Sequence, residues 1–188
     1  MAYDSAATKE RILTAAAAEF AEYGVAGARV DRIAAAAEAN KRAIYDYFGD
    51  KNKLFAAVLE RLMADLAEAV PPGDDDLTAY AERLFDYHRA HPQAVRLLMW
   101  EALEIGDQPV PAESTRAAHY ADKLRAAAAG DPEDAATRLF LTLGMVGWSL
   151  AMPQLRRMIL GADHNLDDLR RGIAGVVQGM TANPSGPQ

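Results

Sequence analysis

The chain has 188 residues, 51% of them hydrophobic, a formal net charge of −7 and no cysteine. This composition excludes a disordered or fibrous protein, and the missing thiols exclude disulfides and thiolate metal sites, as suits a reducing cytoplasm. Forty alanines against 15 Val and Ile together indicate an all-α protein, because alanine is the least costly helix residue and β-branched side chains favour strands.

The first helix is expected from Ser5 to Tyr23, where Ile12, Ala16, Phe20 and Tyr23 form one apolar stripe. Gly24 is placed to end it in a left-handed cap. A short second helix spans Arg29 to Ala37, with Val30, Ile33 and Ala34 turned inward. Asn40 suits the N-cap of a third helix that reaches Phe48. Gly49 stops that helix, and Asp50 caps a fourth that runs to about Val70. "PPGDDD" marks a boundary there. Further helices are expected near 75–90, 92–105, 112–129, 132–152 and 165–181, and the tail "NPSGPQ" is expected to fray.

Charge is distributed unevenly. Residues 1–53 hold eight Lys or Arg and eight Asp or Glu, while the remainder holds 12 against 19 and so carries the whole net charge. Between Arg29 and Lys53 the balance is six to four in favour of cations. An acidic body with a locally basic segment is compatible with binding nucleic acid through that segment.

Residues 40–48 explain how. At about 100° per residue, Ile44 and Phe48 fall together and pack inward, while Arg42 and Asp46 face outward. Lys41 and Tyr45 make one flank, Ala43 and Tyr47 the other. An amphipathic surface helix with a solvated Arg42–Asp46 pair accounts for part of this pattern. Two features favour more. Lys51 and Lys53 sit in the first turn of the next helix, where the dipole disfavours cations unless an anion such as phosphate is nearby. The order short helix, tight turn, short helix is also that of a helix-turn-helix, whose second helix enters the major groove.

"RVDRIAAAAEANKRAIYDYFGDKNKLFAAVL", residues 29–59, resembles the DNA-binding signature of the TetR/AcrR family of transcriptional regulators. The matches are Ile33–Ala34, Lys41, Tyr45, Tyr47–Phe48, Lys51 and Leu54. Phe20 and Gly24 extend the likeness back to about Thr8. The resemblance implies that Tyr45 and Lys51 grip backbone phosphates, with Lys41 and Tyr47 at the backbone or groove edge. On the same basis Arg42 would contact guanine O6/N7 and Ala43 a thymine methyl. Asn40 caps the reading helix, and Arg29 reaches a phosphate. The chain departs from the family pattern at Glu38, where glycine is usual, at Ala28 and Arg29, where Ser or Thr is common, and at Asp46 on the groove-facing side. A left-handed Glu38 would cost about 1–2 kcal/mol.

In the larger half, Phe85, His88, Met99, Trp100, Tyr120, Met145, Trp148 and Met152 fall on expected helices. Each suits a plain core, and together they suit an adaptable apolar cavity, with His88, Tyr120 and Glu101 to orient a ligand. The resemblance implies a small-molecule effector there. His88 and His91 are i,i+3, but no carboxylate shares their helical spacing, so no metal is expected. No nucleophile motif or phosphate loop is present, so no enzyme and no cofactor are expected. Gly172, Gly175 and Gly179, beside Val176, lie along one helix, and Gly144 and Gly147 along another. Interior glycines cost up to about 1 kcal/mol each, which suggests close approach of a second helix and a homodimer built on these two helices and their symmetry mates. The longest uncharged stretch, Leu139 to Leu155, is 17 residues and contains Pro153; a bilayer span needs about 20 apolar residues, so no membrane partner is expected.

The expected organisation is a three-helix helix-turn-helix domain over 1–50 and a connecting helix over 51–70. A ligand-binding and dimerisation domain over 71–182 and a tail over 183–188 complete it. The expected function is a sequence-specific DNA-binding regulator, most simply a cytoplasmic repressor released from a double-stranded operator by a small apolar or aromatic ligand. The alternative is a helical dimeric metabolite-binding or partner-recruiting module without ligand-controlled DNA release.

Overall fold

A computed structural model of the chain describes residues 5–71, 76–127 and 132–182. Among the described residues there are ten helices and no strand. They are α1 (Ser5–Gly27), α2 (Val30–Ala36), α3 (Lys41–Phe48), α4 (Lys51–Ala69), α5 (Leu77–Ala90), α6 (Pro92–Ile105), α7 (Glu113–Ala127), α8 (Pro132–Ala151), α9 (Pro153–Leu160) and α10 (Leu166–Ala182). The fold is all-α, as the composition implies. The tail over 183–188 lies outside the described residues.

The chain forms two compact units, Met1–Asp65 with Gln93–Ala112, and Leu66–Pro92 with Glu113–Gln188. These differ from divisions at residues 50 and 70. Leu54, Phe55, Val58 and Leu59 of α4, and Leu97 of α6, are buried in the same cluster as Ile12, Phe20, Ile33 and Ile44. The Phe20 and Phe55 rings meet edge-on with centroids 5.1 Å apart. The helix-turn-helix is thus one wall of a core that α4 and α6 complete.

Gly24 adopts φ 66°, as its left-handed role requires, yet a further turn follows it to Gly27. A Cβ at Gly24 would lie 3.0 Å from the Trp100 ring, so glycine serves both the backbone angle and the close approach of α6. Tyr23 does not join the stripe. It is half exposed and its ring faces the Arg32 guanidinium, 4.2 Å from the centroid.

The same Arg32 pairs with Glu19, which is buried. Its Oε1 accepts from the Arg29 backbone N–H and from Arg32 Nε, both at 2.8 Å. Burial pushes the carboxyl up, but the Arg32 side chain and the Arg29 N–H outweigh it and hold it below its ordinary 4.5. A depressed carboxyl stabilises the fold above its unfolded value, and that contribution disappears as pH falls through the folded one. Glu19→Gln is therefore expected to lose about 1–2 kcal/mol at pH 7 and progressively less below pH 4.5, measured by urea unfolding across that range.

The second unit is built on α5, α8 and α10. Tyr80, Leu84 and Phe85 of α5 share a core with Leu139 and Val146 of α8 and with Ile173 and Val177 of α10. Arg170 on α10 bridges Glu82 at 2.7 Å and Asp86 at 2.9 Å on α5, and Arg89 reaches Asp167 at 2.5 Å. Sequence periodicity gives one helix to 152 and the next from 165; between them the structure adds α9. Pro153 occupies its first turn, α8 and α9 meet at a bend of 88°, and α9 buries no residue. Among the described residues, no single helix is long and apolar enough to cross a membrane.

Candidate nucleic-acid interface

α2 and α3 are joined by Ala37 to Asn40. Glu38 lies in the left-handed region at φ 49°, and its neighbours close the turn through Glu38 N–H to Ala35 O (3.2 Å) and Ala39 N–H to Ala34 O (3.0 Å). Arg11 Nε donates to the Ala37 carbonyl at 3.0 Å and ties the turn to α1. Glu38→Gly is expected to relieve about 1–2 kcal/mol of left-handed strain and to return about 0.5–1 kcal/mol as unfolded-state entropy. The net expectation is a gain just under 1 kcal/mol in thermal unfolding. The same change removes a negative charge beside α3 and is expected to tighten non-specific DNA binding, read by titration against random duplex.

α3 is built as its sequence requires. Asn40 Oδ1 accepts the Arg42 backbone N–H at 2.8 Å, Ile44 and Phe48 are buried, and Gly49 closes the helix at φ 84°. Asp50 Oδ1 then caps α4 by accepting from Lys53 N–H at 2.8 Å. The outer face carries Lys41, Arg42, Tyr45, Asp46 and Tyr47, all exposed, and Ala43, half-buried. Arg42 is 88% exposed, and its partner Asp46 stands 3.9 Å away. That separation leaves the guanidinium only loosely held.

The other cations are tethered more firmly. Lys41 Nζ lies 2.8 Å from Asp31, whose carboxylate raises the ammonium above its ordinary value. The carboxylates that hold Lys41 and Arg42 are those of Asp31 and Asp46. Lys51 Nζ donates to the carbonyls of Ala26 (3.4 Å) and Ala28 (3.3 Å), the orphan acceptors at the end of α1. Lys53 pairs with Asp50 at 3.5 Å. Both lysines at the start of α4 therefore have partners within the chain, and a phosphate is not needed to account for them. Arg29 is exposed at the head of α2, with its backbone N–H given to Glu19. Sequence reasoning missed Arg11 and Glu19, whose partners lie 26 and 10 residues away.

The residues proposed for ligand binding divide between the two units. Met99 and Trp100 lie on α6 in the first unit, where Trp100 packs against Gly24; buried Glu101 lies there too. Phe85 is fully buried in the second core and His88 is 5% exposed. Met145 and Met152 are half-buried, and Trp148 is exposed. Tyr120 lines a groove of about 400 Å³ together with Leu124, Leu139, Phe140, Leu143 and Gly144. Of the eight, Tyr120 is the one that borders this groove.

On α10, Ile173 and Val177 are buried, whereas Gly172, Gly175, Val176 and Gly179 are exposed. On α8, Phe140, Gly144 and Trp148 are exposed and Gly147 is half-buried. A Cβ built at any of these five glycines meets nothing within 4 Å, so no neighbour within the protomer requires them to be glycine.

Residues 12–58 match the model for bacterial regulatory proteins of the tetR family, and residues 76–178 match the tetracyclin repressor-like C-terminal domain. The chain belongs to the TetR family. The family is one of DNA-binding regulators and is not enzymatic. Among curated relatives, the HTH-type transcriptional repressor SCO4008 of Streptomyces coelicolor is 48% identical over 180 residues, 92% of this chain and 94% of that protein. Among solved structures, the S. coelicolor regulator SCO4942 is 34% identical with a TM-score of 0.76, over 92% of this chain and 97% of that one. A TetR variant of Acinetobacter baumannii, crystallised with minocycline, shares the fold at 17% identity and a TM-score of 0.61, over 93% and 97% of the two chains.

Proposed function

We propose that this chain is a transcriptional repressor that binds an operator as a homodimer and leaves it when a small apolar ligand occupies the second unit. The observation that carries the reading is the outer face of α3. Lys41, Arg42, Tyr45 and Tyr47 stand exposed on a short helix whose back, Ile44 and Phe48, is buried. The capped ends fix that helix rigidly for entry into a major groove.

The roles follow from reach and chemistry. Arg42, loosely held by Asp46, swings to guanine O6/N7, and Ala43 meets a thymine methyl. The Tyr45 hydroxyl and Lys51 take phosphates at the head of α4, with Arg29 beside them and Lys41 and Tyr47 at the groove edge. Lys51 exchanges two carbonyls for a phosphate, a stronger, charge-assisted contact. Two copies join through the exposed glycine face of α10 and the Phe140–Trp148 face of α8. The operator is then pseudo-palindromic, with half-sites about one helical turn or a multiple apart. The relative SCO4008 carries the name of a repressor, and this supports repression over activation. Ligand-driven release needs a coupling of about 1–3 kcal/mol between the two states. The protein acts in the cytoplasm, where its operator is.

The test is the double substitution Tyr45→Phe with Lys51→Ala, titrated against the DNA flanking the protein's own gene. Removing two phosphate contacts per protomer, four per dimer, is expected to weaken binding at least ~100-fold, on the scale of charge-assisted hydrogen bonds. Specific and non-specific binding should fall together. Circular dichroism melting separates this from loss of the Ala26 and Ala28 contacts. Unchanged operator affinity in a folded variant would rule out this docking mode.

A further inference from the structure

Among the described residues, the second unit buries a cation that no carboxylate pairs with. Lys123 on α7 is 5% exposed, and its Nζ donates to the Tyr80 hydroxyl at 2.7 Å. The ammonium also lies 4.7 Å from the Tyr80 ring centroid and 5.7 Å from that of Tyr120. Among the described residues, no Asp or Glu forms an ion pair with it. The charge is felt by His88, whose Nδ1 is buried and has no hydrogen-bond partner.

Burial brings Lys123 down to about 8, so it remains mostly charged at neutral pH, and burial followed by the charges of His91 and Lys123 brings His88 down to about 4, so it is neutral there. The groups that meet at this point, Lys123, Tyr80 and Tyr120, supply one positive charge and no negative one. An unmatched buried charge is unfavourable, and a chain under no other demand would replace it with an apolar side chain. Tyr120 connects the cluster to the groove. Its ring flanks the ammonium and also lines the cavity of about 400 Å³ whose other walls include Leu124, Leu139 and Leu143. A positive end and an apolar body thus share one wall.

We propose that this cluster is the polar end of the effector site. The effector is an apolar monoanion whose carboxylate is taken by Lys123 Nζ and the Tyr80 hydroxyl while its hydrocarbon part lies along the groove. This rests on the ligand-released repressor reading above and adds the charge class of the ligand.

Three probes of one shape and different charge decide it: decanoate, decan-1-ol and decylamine, titrated calorimetrically into the full-length protein. Decanoate is expected to bind at least tenfold more tightly than decan-1-ol, and decylamine more weakly than either. Lys123→Met should bring decanoate to the level of the alcohol, and Lys123→Arg should retain the preference. If Lys123→Met fails to fold, Tyr80→Phe serves instead and is expected to weaken decanoate severalfold without affecting decan-1-ol. Equal binding of acid and alcohol, no binding of any probe, or a preference that survives Lys123→Met overturns the proposal. Operator titrations run in parallel keep the two readings apart. A protein that binds decanoate but no DNA retains the anion site and loses the repressor. One that binds its operator without anion preference loses only this inference. Bound decanoate that leaves operator affinity unchanged removes the effector assignment.

Discussion

Phe20→Ala is expected to destabilise the N-terminal unit by about 3–5 kcal/mol, the range for truncating a fully buried phenylalanine. Phe20 has no exposed surface, and its ring meets Phe55 edge-on across the α1–α4 contact. Deleting it removes that aromatic contact and opens a cavity among Ile12, Ile33, Ile44 and Leu59, all of which are fully or almost fully buried in the same cluster. The surroundings collapse poorly, because the Trp100 ring already sits where even a Cβ at Gly24 would clash. A chain of this size shifts its melting temperature by about 2–4 °C per kcal/mol, so the midpoint should drop by roughly 10 °C. Operator binding should disappear with the fold of α3, since Ile44 and Phe48 anchor it to this core. A drop of less than 2 °C in differential scanning calorimetry would mean that the core is not organised around this ring.

Val176→Glu is expected to separate the proposed homodimer. Val176 is 54% exposed on the face of α10 that carries Gly172, Gly175 and Gly179. At a two-fold interface each substitution appears twice, so two carboxylates would be desolvated beside each other. Light scattering at micromolar concentration should report the mass of one protomer where the unaltered chain reports two. Affinity for a palindromic operator should fall by about 100-fold or more, because the second half-site is then no longer held at the high effective concentration that linkage provides. Affinity for an isolated half-site should change little. An unchanged dimer mass would place the interface on another face.

How much of this was legible in the sequence depends on how far apart the interacting residues are. α3 was legible end to end: Asn40 and Gly49 are local signals, and Ile44 and Phe48 lie one turn apart. The left-handed Glu38 was legible as a departure from a glycine position. α9 was not, because Pro153 interrupts the period and the helix has no buried stripe to reveal it. The allegiance of α6 was not legible either, since a helical period shows which face is covered but not by what; Trp100, which suits either core or ligand cavity by type, packs on Gly24. The two lysines of α4 were legible as a dipole anomaly, but their resolution by the Ala26 and Ala28 carbonyls and by Asp50 combines partners 25, 23 and three residues away. In the second unit His88 and Tyr120 were singled out as residue types. Tyr80 and Lys123 were not, because a lysine on a helix reads as surface charge until the tertiary structure buries it.

The central claim, that α3 and the head of α4 form a sequence-reading, phosphate-gripping surface, is tested most directly by one titration. Binding of the unaltered protein to the DNA flanking its own gene is measured from 50 to 200 mM salt, with random duplex as competitor. Arg29, Lys41 and Lys51 from each of two protomers give about six neutralised phosphates, so log K should fall against log salt with a slope of about −5. That corresponds to roughly a thousandfold loss across the range, with flanking DNA preferred to random duplex by at least a thousandfold. A slope near zero, or equal affinity for both duplexes, would contradict the account and leave an acidic helical protein whose function lies in its second unit.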